Sequence, residues 1–236
     1  MIFQTGKNGQ TRFLSAGDLN KLYFVSDMNT KPNSLLDLVE TFGENRIYLI
    51  VRLSKAETEA EFDVCLEELI EATIKEMEQR ANYLTEDKED KISCYLAMGL
   101  NFPSVLRVTQ ETHSNGHVDI TIEGAGIVQP FLRLGEAKIY RTYSYHLGGM
   151  EQLINRYSTG RVNTGFIFVY VKKEGVKEIM EDLMNKLDSN KSFSQIGKSQ
   201  AHSKIKWSYN TKHIHSSGEE LRVLHLGINL YRQQSS

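Results

Sequence analysis

The 236-residue sequence predicts an α/β fold: a central mixed β-sheet flanked by helices, with an N-terminal extension and a C-terminal β-hairpin. Three observations carry that expectation. Apolar residues recur at helical spacing in some stretches and alternate strictly in others. From residue 85 onward these stretches follow the order helix, strand, strand, strand, helix, strand, helix, strand, strand. Residues 165–171 (GFIFVYV) are apolar without interruption, as a strand covered on both faces requires. No internal repeat or low-complexity linker breaks the order.

Residues 1–55 read as an extension with short strands at 12–14, 22–25 and 46–53 around a loop containing Pro32, and no function attaches to them. Gly6-Lys7 lacks both the upstream glycine and the following Ser/Thr of a phosphate loop. Residues 56–84 form an acidic helix whose apolar stripe is Phe62, Leu66, Leu69, Thr73 and Met77. Its carboxylates read as a solvated face. The domain proper, 85–236, opens with a helix for which Thr85 is the N-cap and Glu86 and Asp87 sit in the first turn. Ile92, Tyr95, Leu96 and Leu100 are its core face.

Strands at 107–113 and 118–123 flank Asn115-Gly116, a pair suited to the positive φ angles of a hairpin turn. Val118, Ile120 and Ile122 take one side of the second strand, so Asp119 and Thr121 take the other. In the next strand, 134–139, Glu136 and Lys138 are two apart and share a face. If these strands pair, two carboxylates and an ammonium meet at the end of a hydrophobic sheet. Desolvating such groups costs several kcal/mol unless an ion or partner offsets it. Adjacent carboxylates call for a cation between them, and a hard divalent ion such as Mg²⁺ takes oxygen ligands. Glu111, on the first hairpin strand, can face Asp119; it reads either as a further metal ligand or general base, or as a surface residue.

A polar, aromatic connector with Arg141, Tyr143 and Tyr145 spans 139–146. Gly148-Gly149 then precedes a helix whose core face is Met150, Leu153, Ile154 and Tyr157, while Gln152 and Arg156 share another face. A helix over 175–187 turns Val176, Ile179, Met180, Leu183 and Leu187 inward. In the final hairpin Ile205, Trp207 and Tyr209 alternate on one strand and Leu224, Leu226, Ile228 and Leu230 on the other, with the turn at 216–218. His213 and His215 read as surface histidines with no third metal ligand in sight.

The Asp119…Glu136-X-Lys138 pattern, followed by Gln152 within Met150-Glu151-Gln152-Leu153-Ile154, resembles the PD-(D/E)XK, or restriction-endonuclease-like, nuclease superfamily over roughly residues 85–187. The resemblance implies hydrolysis of phosphodiester bonds with Mg²⁺ or Mn²⁺. Asp119 and Glu136, with the Ala137 carbonyl, would hold the metal; Lys138 would orient water and neutralise charge; Gln152 would position the water or a ligand. Some relatives add an acid at the start of the preceding helix, where Glu89 is the nearest match. One branch carries Gln-X₃-Tyr, but here Tyr157 is five residues on, about 140° round an α-helix. Arg156 takes the i+4 place and reads as a phosphate contact. DNA is the substrate implied by analogy, with restriction or antiphage defence as the setting. The rival expectation is an inactive relative that keeps the fold as a nucleic-acid- or protein-binding module.

The net charge of −2 singles out no partner, but the charges are unevenly placed. Residues 56–91 hold thirteen acids against four Lys/Arg, residues 133–173 seven Lys/Arg against two acids, and residues 189–218 five Lys and no acid. Arg141 and Arg156 near the site, with Lys204 and Lys206 further on, are therefore the expected nucleic-acid contacts. A homo-oligomer or a defence partner protein stays open. Cys65 and Cys94 lack zinc-site spacing, and no apolar run approaches the ~20 residues of a membrane helix, so a reduced, cytoplasmic setting is expected.

Overall fold

A computed structural model of the chain describes residues 3–5, 11–13, 44–102, 105–113, 117–124, 131–158 and 160–233. The chain divides into two compact units, residues 1–48 and 49–236. In the first, β1 (Phe3–Thr5) pairs antiparallel with β2 (Thr11–Phe13). The strand expected at 22–25 lies outside the described residues. The one expected at 46–53 is instead a helix, α1 (Glu44–Ser54). Leu49 and Leu53, four apart, meet the core, whereas Val51 between them is 40% exposed. A strand would have put all three on one side, so the helical period prevails over a β-prone composition.

α2 (Glu59–Gln79) is capped by the Thr58 hydroxyl, which accepts from the Glu61 amide at 3.2 Å. It buries Phe62, Cys65, Leu66, Leu69, Ile70, Thr73, Ile74 and Met77. A single turn, α3 (Ala81–Leu84), separates it from α4 (Glu89–Leu100). Thr85 is not the N-cap of α4. It closes α3, with its hydroxyl at 2.8 Å from the Ala81 carbonyl and 2.7 Å from that of Leu230. Lys88 stands at the N-cap instead, so the first-turn acids are Glu89 and Asp90.

The sheet has seven strands in the order β3 (Leu106–His113), β4 (His117–Gly124), β5 (Leu132–Ile139), β6 (Thr164–Val171), β9 (Glu220–Asn229), β8 (Ser208–Ile214) and β7 (Gln200–Ala201). β5, β6 and β9 run parallel and the remaining pairings are antiparallel. Helix α5 (Tyr143–Glu151) continues into a π-helical segment, Gln152–Tyr157, and α6 (Val176–Asn190) follows β6. Phe166, Phe168 and Tyr170 pack with α2 and α4, while Ile167, Val169 and Val171 pack with the π segment and α6. Both faces are covered, which is why β6 is buried at every position. α5 starts earlier than the glycine pair suggests. The Thr142 hydroxyl caps it by accepting from Tyr145 N, and Gly148 and Gly149 lie inside the helix. Ile205 and Trp207 precede β8 in a turn, with Trp207 at φ 54°.

Two expectations about polar residues are overturned. The acidic face of α2 is not left to solvent. Arg133 Nε lies 2.7 Å from Asp63 and its NH2 3.2 Å from Glu59. Thr164 donates to Asp63 at 3.0 Å, Asn163 binds Glu59, and Arg222 binds Glu67. His202 is 3.1 Å from Glu67, and Arg52 and Lys204 reach Glu68. The parallel strands bring Arg133, Thr164 and Arg222 to the same end of the sheet, where acids at four-residue spacing on α2 meet them.

His213 and His215 are buried, not on the surface. The Phe193 carbonyl can only accept, so His213 Nδ1 (3.0 Å away) carries a proton and Nε2 accepts from the Thr211 hydroxyl at 2.8 Å. Thr211 then accepts from His225 Nε2 at 2.9 Å, and His225 Nδ1 from His146 Nε2 at 3.1 Å. Burial favours the neutral form of His213, His225 and His146. Burial lowers the pKa of all three, that of His146 to about 4.

Candidate functional site

β4 and β5 pair from Glu123 and Leu132 as far as Ile120 and Gly135, and then part. Beyond that point two amides of β5 bond to carboxylates. Asp119 Oδ2 accepts from Ala137 N at 3.0 Å, and Glu89 Oε2 from Ile139 N at 2.7 Å. The split thus draws an acid from β4 and an acid from the first turn of α4 to one edge of β5. Strand alternation places Glu136 and Lys138 together on this strand, and Lys138 Nζ lies 2.6 Å from Glu136 Oε1, 3.5 Å from Asp119 Oδ2 and 3.6 Å from Glu89 Oε1. Three carboxylates share one ammonium.

Helix α5 closes over this pair. A Cβ at Gly149 would stand 3.2 Å from Lys138 Cγ and 3.3 Å from Glu136 Cγ, so only glycine lets the helix come this near without displacing them. Glu136 is 0% exposed, and neither of its oxygens has a hydrogen-bond partner among the described residues. The Lys138 contact is an ion pair outside hydrogen-bond geometry. Burial, reinforced by Asp119, pushes the Glu136 carboxyl up to about 8, and Lys138 only partly offsets this. Burial also disfavours the Lys138 ammonium, but Glu136, Asp119 and Glu89 outweigh it and raise its pKa. Lys138 therefore stays charged, and the most buried acid, Glu136, is the one that takes up a proton.

No protein-family model, curated protein or solved structure matches this chain. The chemistry of the site therefore has to be read from its own atoms. Among the described residues no group of three or more His, Cys, Asp and Glu is arranged as a ready metal cage. Lys138 stands amid the carboxylates where a cation would balance them. The donor set nevertheless suits a hard divalent ion: it is all oxygen, and the Glu136 oxygens are buried without a hydrogen bond. Asp119, Glu136 and the Ala137 carbonyl are the groups that would hold it.

The structure brings together Asp119, Glu136, Lys138 and Glu89. It does not bring Gln152 into hydrogen-bond contact with them among the described residues; Gln152 is half-buried where α5 passes into the π segment. The bond from Ser158 N to the Leu153 carbonyl shows the i→i+5 period there. The 140° separation of Gln152 and Tyr157 assumed an α-helix and does not apply to this segment. Glu111 is on β3, and its side chain lies outside the description. Arg156 is 57% exposed and paired with Glu151 at 2.9 Å. Arg141 lies over the Tyr145 ring. Lys204 pairs with Glu68 on α2, away from β5, and Lys206 is exposed. Two contributors escaped the sequence: Tyr145, whose hydroxyl is 3.5 Å from Glu89, and Gly149. The Gly148-Gly149 pair was visible, but it reads as a turn until helix packing is known. Among the described residues no helix is long and apolar enough to cross a membrane.

Proposed function

We propose that the chain is a metal-dependent nuclease of the restriction-endonuclease-like type, hydrolysing phosphodiester bonds in DNA. The observation that carries this reading is the fully buried Glu136 carboxyl, with no hydrogen bond to either oxygen and only the Lys138 ion pair, shared with Asp119, where two strands part. A buried carboxylate without hydrogen bonds is costly in a merely structural role, and its cost is relieved when a cation arrives. Asp119, Glu136 and the Ala137 carbonyl would hold a divalent ion, which would supply Lewis acidity and lower the pKa of bound water. Lys138, kept charged by its three acids, neutralises negative charge developing on the phosphate. The Ala137 and Ile139 amides fix Asp119 and Glu89 on the strand edge, so the acids are oriented before anything binds. Gly149 lets α5 exclude water from the buried side.

The test incubates purified protein with plasmid DNA and with RNA, plus Mg²⁺, Mn²⁺ or EDTA. Cleavage is expected with either ion and not with EDTA. Lys138→Met should lower the rate about a hundredfold or more. In parallel, Mn²⁺ should raise the melting temperature of wild type, equivalent to about 2.7 kcal/mol at a hundred times its Kd, and leave Glu136→Gln unmoved. Cleavage that survives EDTA, or equal Mn²⁺ shifts in both proteins, would sink the proposal.

A further inference from the structure

We infer that residues 140–145, leading out of the site strand, form a platform for unpaired nucleobases, so that the polymer engaged here is single-stranded nucleic acid. This deepens the nuclease reading and rests on it only for what happens after binding. The segment reads Tyr140-Arg141-Thr142-Tyr143-Ser144-Tyr145. Each tyrosine is half-buried, and each carries an exposed cation over its ring: Lys173 at 4.6 Å from the Tyr140 centroid, Lys186 at 5.8 Å from Tyr143, and Arg141 at 5.0 Å from Tyr145. Cation–ring pairs of this kind occur roughly once per 70–80 residues. Three on one six-residue stretch, next to the carboxylates, is a concentration that core packing does not call for.

The cations come from three separate places: Arg141 just before α5, Lys173 in the bend after β6, and Lys186 on α6. Lys173 and Lys186 are exposed, and Lys186 also pairs with Asp182 at 2.8 Å. Tyr140 and Tyr143 rest against the core. A base that displaced a cation would find a fixed aromatic face, and the released lysine would find the adjoining phosphate. Paired bases in a duplex keep their faces stacked on one another and cannot use such rings, whereas every unpaired base can. The strip runs to the site, because the Tyr145 hydroxyl approaches Glu89, which approaches Lys138.

The experiment is fluorescence anisotropy in EDTA, where no metal-dependent cleavage can occur, with labelled 20-nucleotide oligo-dT, oligo-U and a 20-base-pair duplex. Wild type should bind a single strand at least about tenfold more tightly than the duplex. Tyr140→Leu/Tyr143→Leu, which keeps the apolar contacts, should weaken single-strand binding about thirtyfold and leave duplex binding unchanged. Lys173→Ala/Lys186→Ala, both surface changes, should flatten the slope of log K against log salt by about 0.7 per lysine. Preference for oligo-dT or oligo-U assigns the sugar, and either supports the platform. Equal affinity for single strand and duplex, binding of neither, or tyrosine and lysine variants indistinguishable from wild type would overturn it. Binding without cleavage under Mg²⁺ would sink the nuclease reading and leave the platform standing.

Discussion

Strand β5 carries buried charge at both ends, and the two ends are treated in opposite ways. Near its start Arg133, 2% exposed, meets Asp63 and Glu59, and the neighbouring acids of α2 are taken up by Arg222, His202, Arg52 and Lys204. Near its end Glu136, 0% exposed, competes with Asp119 and Glu89 for the single Lys138. The first cluster is closed by the protein's own cations. The second is left short of positive charge. Matched buried charge holds elements together; unmatched buried charge is kept where something else is to be bound.

The sharpest way to break that contrast is to remove one group from each cluster. Arg133→Met takes the buried guanidinium from Asp63 and Glu59, leaving Asp63 to Thr164 and Arg222 and Glu59 to Asn163, and should cost about 3 kcal/mol in urea unfolding. Glu136→Gln removes charge where it is in surplus, so in metal-free buffer it should stabilise by about 1 kcal/mol or more. Losses of equal size from both would show that the two clusters are alike.

Acid gives the next effect, on the order of a few kcal/mol. His146, His213 and His225 have folded pKa values below their unfolded 6.5, so between pH 6.5 and about 4 the unfolded chain binds more protons and stability falls as pH falls. Glu136 works the other way. Its pKa is raised from 4.5 to about 8, so the folded chain binds the extra proton and gains stability as pH drops through that window. Wild type should therefore lose less stability than Glu136→Gln when urea midpoints at pH 8 and pH 5 are compared. Equal losses would mean that Glu136 is solvated after all. The smallest effect belongs to the rim of the closed cluster. Lys204→Ala breaks an exposed pair with Glu68 and should change stability by less than about 1 kcal/mol; a larger change would put that pair within the cluster's buried part.

The core elements were legible because burial imposes periods: β6 reads as apolar throughout, and Asp119, Glu136 and Lys138 fall on strands at offsets that alternation makes readable. What the sequence hid depends on distant partners. Nothing near residues 59–67 announces that Arg133 and Arg222 will come to them, so the acids read as solvated. His213 and His225 became interior only through Thr211 and Phe193. The π segment has no composition of its own, and α1 has a composition that speaks for the wrong structure.

The bonds from Ala137 and Ile139 to Asp119 and Glu89 also bear on the integrity of the sheet. Where β4 leaves β5, two amides of an interior strand lose their ladder partners, and a buried amide left without one is costly. The two carboxylates occupy those amides and place negative charge along the gap. The acids that orient the site therefore also complete the backbone bonding of β5, and substituting Asp119 leaves the Ala137 amide without its acceptor.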